Sequence, residues 1–240
     1  MLRVVSYNVE GLRGDRAALV EVVRELAPDV LVLQQAPRRL RWRTRNAQLA
    51  HAVDLVYATG GAPALGNVIM TNLRVRPYRT WELRFPLTPG RCLRGAAFAR
   101  CTVAGAAFVL VGSHLATDPA ERPGQAELLK KALCGHSSAS APLGGTPDRM
   151  TTADLDAPVI FCGDLNETPG GGAWRTLAEG LIDAAGPEAP YGPEVLPGRG
   201  SEVIFVDPRI AVTGYRVVDS PAAQRASDHP PVVVDLALPG

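Results

Sequence analysis

Six short apolar runs, rich in β-branched and aromatic residues, constrain the fold of this chain more than any other feature of its sequence. Their lengths are close to the roughly 4–8 residues of a buried strand and too short for a typical helix. The runs are Val4–Val9, Val30–Leu33, Phe108–Val111, Val159–Phe161, Val203–Val206 and Val232–Leu236. They recur along the whole chain, so the sequence predicts a core built mainly from buried strands.

The remaining patterned segments predict helices and further strands. Helices are expected at Arg16–Leu26, Arg41–Val53, Gln125–Leu133 and Ala173–Glu179. Further strands are expected at Asn67–Thr71, Arg74–Arg84, Gly95–Val103 and Val212–Val218. Because several strands follow one another without a helix between them, the pattern predicts an α/β protein whose sheets are mixed rather than all parallel.

The length and composition are those of one domain with one sizeable core. The chain has 240 residues, of which 46% are hydrophobic, and a single α/β domain of this length is ordinary. Residues 135–157 are dominated by Ser, Thr, Ala, Gly and Pro and have no apolar periodicity. We therefore expect a single domain over residues 1–240, with a flexible loop insertion at 135–157.

Targeting and redox features favour the cytoplasm. No segment approaches the roughly 20 apolar residues of a membrane helix, and the first predicted strand leaves no room for a secretory signal. The four cysteines, Cys92, Cys101, Cys134 and Cys162, form no CxxC pair and fit no zinc-site spacing. We expect reduced, mostly buried thiols and no association with a membrane.

Charge is unevenly distributed along the chain. The net charge is +1, yet residues 1–100 hold 16 Arg and no Lys against 7 Asp or Glu. Such a chain can present a basic face to an anionic substrate; alternatively, the two halves interleave and the asymmetry disappears. Within residues 37–45, five Arg surround Trp42. This segment fits either nucleic-acid contact, with base stacking on Trp42, or a solvated helix face.

Polar residues stand at the ends of the apolar runs, and they carry the functional prediction. The residues are Asn8, Gln35, His114, Asp164, Asn166, Glu202, Asp228 and His229. Each has a simple structural explanation when taken alone, such as a turn or a core histidine. Together they bring imidazoles, carboxylates and amides to the ends of separate strands. We therefore expect one metal and acid–base site along a sheet edge.

The ordered motifs SYNV, LQQ, SHL, GDLN and SDHPPV resemble the DNase I-like superfamily of endonucleases, exonucleases and phosphatases. The resemblance runs from Val4 to Leu236, and GDLN and SDH are its most specific motifs. It implies an α/β four-layer αββα sandwich, in which two mixed β-sheets are flanked by helices. It also implies a site across the strand ends.

The resemblance further implies a role for each candidate residue in water attack on a phosphoester, with Mg²⁺ or Mn²⁺ as cofactor. Asp164 would orient or deprotonate the water, Asn166 would bind a phosphate oxygen, and His229 would act as acid or base. The implied catalytic set is His114, Asp164, Asn166, Glu202 and His229. The implied metal set is Asn8, Gln35 and Asp228, with Asn67 and Arg94 binding substrate.

Two of these positions depart from the family pattern. Glu202 stands where the family has an Asp that holds the imidazole of His229, which is a mild change. Gln35 stands where the family has the principal metal carboxylate, and an amide supplies no negative charge to a hard cation. Three outcomes remain open: weak metal binding with activity at high Mg²⁺, compensation by an acid such as Glu10, or an inactive member that binds phosphate or nucleic acid.

We expect metal-dependent hydrolysis of a phosphoester. The inactive phosphate-binding or nucleic-acid-binding module is the alternative. Because the sequence shows no hydrophobic membrane-docking loop, a nucleic-acid phosphodiester or a small soluble phosphoester is favoured over a membrane lipid. No obligate protein partner is expected. The fold by itself cannot choose among substrates.

Overall fold

The structure is a computed structural model, and it describes residues 1–134, 156–186 and 201–239. The predicted insertion at 135–157 lies outside the described residues except for its last two positions. Twelve strands are present in the described part of the chain. They are β1 Leu2–Asn8, β2 Val30–Gln34, β3 Val56–Gly60, β4 Val68–Thr71, β5 Arg76–Arg84, β6 Gly95–Val103, β7 Ala106–His114, β8 Val159–Asp164, β9 Ile182–Asp183, β10 Glu202–Val206, β11 Ala211–Val217 and β12 Val232–Ala237.

The strands form two mixed sheets of six strands each. The order is β11-β12-β1-β2-β4-β3 in the first sheet and β5-β6-β7-β8-β10-β9 in the second. Strand β1 is parallel to β2 and antiparallel to β12, and β7 is parallel to β8, which is antiparallel to β10. The first sheet joins strands from both ends of the chain, so the basic and acidic halves interleave. Charge asymmetry along the sequence is therefore no guide to a basic face.

Five helices cover the outer faces of the sheets in the described part of the chain. They are α1 Arg16–Leu26, α2 Trp42–Ala52, α3 Arg122–Cys134, α4 Gly172–Ala178 and α5 Pro221–Ala226. Helix α1 begins where Asp15 accepts hydrogen bonds from the backbone N–H groups of Ala17 and Ala18, a standard N-cap. Its buried residues recur at helical spacing and pack on the first sheet.

The core has three apolar layers, set by the period of two along each strand. Val4 faces the second sheet in the central layer, whereas its neighbour Val5 packs under the helices of the first sheet. Phe161 and Phe205 pack under α3 and α4 on the far side of the second sheet. The layers are therefore helices, sheet, sheet and helices, which confirms the predicted four-layer αββα sandwich.

Two of the three cysteines whose burial the structure describes are buried, as expected. Cys101 and Cys162 are buried and free, and burial raises the pKa of Cys101 to about 12. Cys92 is also free but lies exposed in the loop before β6. No helix in the described residues is long and apolar enough to cross a membrane.

Candidate active site

The ends of four central strands meet at one edge of the sandwich. In the β1–β2 register Asn8 pairs with Gln34, and in the β7–β8 register His114 pairs with Asp164. Glu202 pairs with Asp164 across β8 and β10. Parallel strands that end together bring their last side chains to the same edge, so these polar residues are neighbours although they lie far apart in sequence.

Asp164 is the centre of this cluster. Asn8 Nδ2 donates a hydrogen bond of 2.8 Å to Asp164 Oδ2. His114 Nε2 lies 3.4 Å from the same oxygen, and His229 Nδ1 lies 3.8 Å from it. One carboxylate oxygen therefore gathers groups from β1, β7 and the segment before β12.

Asp164 is held in its ionised form despite its burial. Burial opposes the charge, but the nearby His114, a hydrogen bond from Ser201 and the backbone N–H of Asn166 together lower the pKa of Asp164. The Asn166 N–H donates to Asp164 Oδ1 over 2.9 Å. A buried carboxylate with this many donors is a fixed acceptor that can orient a water molecule or accept its proton.

Asn166 lies in a tight turn beside Asp164. Its φ of 52° is in the left-handed region that asparagine tolerates. Asn166 Nδ2 donates to the Leu115 carbonyl oxygen over 2.8 Å and lies 2.8 Å from His114 Nε2. The amide is therefore fixed next to both Asp164 and His114, as required of a group that would donate to a phosphate oxygen.

His229 is paired with a buried carboxylate. Its Nδ1–H donates to Glu202 Oε1. Glu202 is one methylene longer than the expected Asp, and it still forms the expected hydrogen bond to the imidazole. Burial disfavours the charged imidazole, but Glu202, Asp164 and Asp228 outweigh burial and raise the pKa of His229 to about 9. Burial in turn raises the pKa of Glu202. Near neutral pH the site therefore holds a charged His229 imidazole beside the Glu202 carboxylate.

His114 has the opposite environment. Arg94 Nη1 lies 3.3 Å from His114 Nδ1, and the Asn166 amide nitrogen lies near Nε2. Both neighbours are N–H donors, and a doubly protonated imidazole can accept from neither. Burial is the main reason that the pKa of His114 falls, and the Arg94 charge lowers it further although Asp164 opposes the decrease. These surroundings favour the neutral form of the His114 imidazole.

Asn8 is locked by its surroundings. Ser227 Oγ donates to the Asn8 carbonyl oxygen over 2.7 Å and accepts from the His229 N–H over 3.2 Å. Asn8 Oδ1 accepts from the Glu10 N–H over 3.2 Å. This serine links the end of β1 to the segment that carries His229, which brings the SYN and SDH motifs together.

Oxygen-rich groups suited to a divalent cation surround Asp164. Ligand atoms of Asp164, Glu202 and His229 lie within 4.8 Å of one another. Asp228 is 66% exposed, with Oδ1 located 3.6 Å from His229 Nε2. This group of two carboxylates and one imidazole shares no residue with the predicted metal set of Asn8, Gln35 and Asp228, which stays a prediction.

Gln35 follows β2 directly, at the same edge as Asn8. Its φ is 54°, and its carbonyl oxygen accepts from the Gly11 N–H over 3.0 Å. The turn therefore directs the backbone away from β2 and leaves the Gln35 side chain half-buried. Glu10, the acid considered as compensation, forms an ion pair of 3.5 Å with Arg13. Its charge is therefore already partly balanced.

The two residues predicted to bind substrate have different positions. Asn67 is 1% exposed, and its Nδ2 donates to the carbonyl oxygens of Ala64 and Gly95 over 2.8 Å each. This places Asn67 in the buried wall of the site, and its contact with substrate stays a prediction. Arg94, in contrast, contacts His114 directly. The difference arises because Asn67 follows a tight turn and directly precedes β4, where its side chain satisfies the buried carbonyl oxygens of Ala64 and Gly95.

The predicted base-stacking role of Trp42 meets an obstacle. A Cβ added at Gly61 would lie 2.3 Å from Trp42 Cε3, so the ring is packed on the Gly61 backbone. The Arg43 guanidinium carbon lies 4.4 Å from the centre of the same ring. Trp42 is thus involved in internal packing and a cation–π contact, and a base would have to displace Arg43.

Sequence reasoning missed the serines that support the site. Ser201 donates to Asp164, and Ser227 joins Asn8 to His229. Ser227 stands inside the SDH motif and Ser201 directly before Glu202. Their positions next to the acids were the available signal, but serine is also common in loops.

The fold and the site together define a class of protein: a two-sheet α/β sandwich with an acid–base site at the ends of its central strands. The model of the Endonuclease/Exonuclease/phosphatase family matches residues 5–143, more than half of the chain, and the chain belongs to this family. No curated protein sequence matches the chain.

Similar solved structures extend over nearly the whole chain. Human Nocturnin superposes with a TM-score of 0.76 at 16% identity, covering 98% of this chain and 94% of that one. The mannosyl-6-phosphatase Bt3783 of Bacteroides thetaiotaomicron gives 0.73 at 16% identity, covering 99% and 100%. TDP2 of D. rerio gives 0.72 at 19% identity, covering 98% of each. These similarities show the shared fold.

Proposed function

We propose that the chain is a divalent-metal-dependent phosphoester hydrolase that works by water attack. The observation that supports this most directly is the convergence on one buried oxygen, Asp164 Oδ2, of Asn8, His114 and His229. A carboxylate acceptor, two imidazoles and amide donors within a few ångströms meet the needs of phosphoryl transfer to water.

Each side chain has a distinct task in this proposal. Asp164 accepts a proton from the attacking water, because its lowered pKa keeps it ionised at neutral pH. Charged His229, supported by Glu202, balances the negative phosphate oxygens and can donate a proton to the leaving oxygen. The Nδ2 group of Asn166 and neutral His114 orient the phosphate through hydrogen bonds without adding charge.

The residues present fit a hard divalent cation such as Mg²⁺ or Mn²⁺. The candidate ligands are the Asp228 carboxylate and the amide oxygens of Asn8 and Gln35, and hard cations prefer such oxygen ligands; Asp164 and Glu202 are already engaged as proton acceptor and as partner of His229. Asp228 has no Lys or Arg within ion-pair distance among the described residues, and its Oδ1 lies 3.6 Å from the His229 imidazole, which balances part of its charge. When bound, the cation would supply charge balance for the phosphate and the leaving oxygen.

Two substrate classes suit this site: a nucleic-acid phosphodiester and a small soluble phosphoester. The similar structures include a mannosyl-6-phosphatase and a TDP2 complex with single strand DNA product, which supports keeping both. We also propose that the protein works in the cytoplasm without an obligate partner. The free thiols of Cys92, Cys101 and Cys162 support that compartment.

The second candidate function is a weakened or inactive member that holds phosphate or nucleic acid. Gln35 favours it, because an amide in place of a carboxylate removes one negative charge from the expected metal ligands. This candidate predicts phosphate binding without product at every Mg²⁺ or Mn²⁺ concentration.

Hydrolysis of bis-p-nitrophenyl phosphate under a titration of Mg²⁺ and Mn²⁺ separates the two candidates. The hydrolase should release p-nitrophenol in a metal-dependent manner that EDTA abolishes. Asp164→Asn should lower kcat/KM by about 100-fold or more, since general acid–base groups contribute on the order of 10²–10⁴-fold. Asp54→Asn is the matched control, because Asp54 is 73% exposed and pairs only with Arg24 in the described residues. A rate insensitive to EDTA would refute the proposal.

Gln35→Glu tests the metal site directly. Restoring the carboxylate should lower the Mg²⁺ concentration needed for half-maximal activity, with about a tenfold change expected for one added charged ligand interaction. Gln34→Glu is the matched control, because Gln34 Nε2 donates to Ser6 Oγ inside the core. An unchanged or weaker metal requirement in Gln35→Glu would contradict the assignment of Gln35 as a ligand.

A further inference from the structure

We propose that Arg38 and Arg94 form a second anion-binding subsite on the His114 side of the centre, which binds a second phosphate of the substrate. This inference deepens the proposed function and rests on it for the position of the phosphate that reacts. The name second-phosphate subsite is used below for these two arginines.

The position of Arg38 is fixed by the backbone of two loops. Its Nη1 donates to the carbonyl oxygens of Leu65 and Leu93, each over 3.0 Å. A Cβ added at Gly66 would lie 3.5 Å from Arg38 Cδ, so the stem of Arg38 packs against that loop. Both bonds use one terminal nitrogen, which leaves Nε and Nη2 available for an anion.

Arg94 directly follows Leu93, whose carbonyl oxygen accepts a hydrogen bond from Arg38. Its Nη1 lies 3.3 Å from His114 Nδ1, and its Nε is buried without a hydrogen-bond partner among the described residues. A buried N–H without an acceptor is costly. The donor surplus at Arg94 and His114 therefore fits an acceptor-rich ligand such as phosphate.

No carboxylate of the described residues lies within ion-pair distance of either guanidinium. Several other arginines of the described residues do have acidic partners: Arg3 with Asp235, Arg74 with Asp29, and Arg122 with Glu167. After burial, which is the main cause, the charge of Arg38 also lowers the pKa of Arg94, so the two repel each other. An anion between them relieves that repulsion.

Arginine also matches phosphate by geometry, since its planar fork can give two parallel hydrogen bonds to phosphate oxygens. The chemistry therefore assigns a substrate with two phosphate groups. Such a substrate is either a nucleic-acid strand, through the phosphate next to the scissile one, or a small bisphosphorylated molecule.

Calorimetric binding to the full chain in the presence of EDTA tests the subsite without requiring turnover. One pair of probes is the dinucleotide TpT with and without a 5′-phosphate. The other pair is fructose 1,6-bisphosphate and fructose 6-phosphate. In at least one pair, the second phosphate should strengthen binding by about tenfold or more, in line with charge-assisted hydrogen bonds. The pair that shows the advantage identifies the source of the phosphate.

Variants of Arg38 distinguish phosphate binding from a purely structural role in anchoring the two loops. Arg38→Gln should abolish the advantage of the second phosphate, and Arg38→Lys should restore part of it because the charge returns. Arg84→Gln is the matched control: Arg84 Nε and Nη2 donate to the carbonyl oxygens of Pro63 and Ala62, anchoring the same loop away from His114. The control should keep the full advantage.

Three results would overturn the second-phosphate subsite. The second phosphate gives no gain in affinity in either pair of probes, the gain survives in Arg38→Gln, or Arg38→Gln and Arg38→Lys lose the gain equally. The last would show that Arg38 only anchors the loops. A protein that hydrolyses no phosphoester yet keeps the advantage would refute the proposed function and leave the subsite standing.

Discussion

The two histidines of the site lie on opposite sides of Asp164 and have opposite electrostatic environments. His229 donates to buried Glu202, and its pKa is raised to about 9. His114 faces the Arg94 guanidinium and the Asn166 amide nitrogen, and its pKa is lowered. One imidazole is charged near neutral pH and the other is neutral.

This difference shows that residue type does not determine role at such a site. Both imidazoles approach the same oxygen, Asp164 Oδ2, at 3.4 and 3.8 Å. Their other surroundings differ: His229 Nδ1 also donates to the Glu202 carboxylate, which stabilises the charged ring, whereas burial and the Arg94 cation destabilise the charged form of His114. We therefore assign charge balance and proton donation to His229, and neutral hydrogen bonding to His114.

The sharpest test compares His229→Gln with His114→Gln. His229→Gln should lower kcat/KM by about 100-fold or more, because the variant loses both a charge and a proton donor. His114→Gln should cost about tenfold, because the glutamine amide can replace a neutral donor. Both are measured with bis-p-nitrophenyl phosphate at pH 7, with far-ultraviolet circular dichroism as the folding control. Equal losses would remove the distinction between the two rings.

Glu202→Gln tests the cause of the charge on His229. The variant keeps the shape and removes the anion, so the pKa of His229 should fall from about 9 towards or below 6.5. Because the charged form is required, the alkaline limb of the pH–rate profile should move to lower pH. At pH 8 this should reduce the rate by about 30-fold, because a group with a pKa of about 9 is about 90% protonated there and one with a pKa of 6.5 is about 3% protonated. An alkaline limb that does not move would contradict the assignment of Glu202 as the cause of the charge on His229.

The same substitution has a signature in stability. The raised pKa of His229 contributes stability that is fully present below pH 6.5 and is lost as pH rises through about 9. The excess stability of the wild-type protein over Glu202→Gln, measured by urea unfolding, should therefore shrink across that interval. Asp207→Asn, which breaks the ion pair with Arg209 far from the site, should show no such change there.

The sheet framework was predictable because buried strands leave a strong local pattern. The run Val232–Leu236 corresponds to β12 at Val232–Ala237, and Val30–Leu33 to β2 at Val30–Gln34. Strand β3 was missed because it is an edge strand and its first three residues are not buried. Helix α5 was missed because its six residues are too few for a clear period, and it is stabilised by packing against α1.

Convergence of the site residues was predictable in outline, but their partners were not. Motif order placed Asn8, Asp164 and His229 at strand ends, and strand ends meet at an edge. Nothing in the sequence shows that Arg94 points to His114, because that direction depends on how the loop after β5 returns to β6. Equally, the backbone turn at Gln35 sets its side-chain position, and its positive φ leaves no signal in the sequence.

Arg94→Gln tests whether the Arg94 cation contributes to the lowered pKa of His114. Removing the cation should raise the pKa of His114 relative to the wild-type protein, yet keep it below 6.5, because burial is the larger cause of the decrease. Nitrogen-15 NMR of the imidazoles measures this directly, since the chain has only 4 His. Arg91→Gln is the control, because Arg91 pairs with Asp118. An unshifted His114 would show that Arg94 does not influence its protonation.

The smallest expected effect concerns the serine beside each histidine. Ser227 Oγ bonds the Asn8 carbonyl oxygen and the His229 N–H, whereas Ser113 Oγ donates to the Gly95 carbonyl oxygen over 3.0 Å. Each alanine variant should lower the free energy of unfolding by about 1 kcal/mol per lost hydrogen bond, so Ser227→Ala should cost more than Ser113→Ala. Ser227→Ala should also lower kcat by a few-fold, because it loosens the charged ring. If Ser113→Ala reduced kcat more than Ser227→Ala, the position of His114 would matter more than that of His229, and the two roles would have to be exchanged.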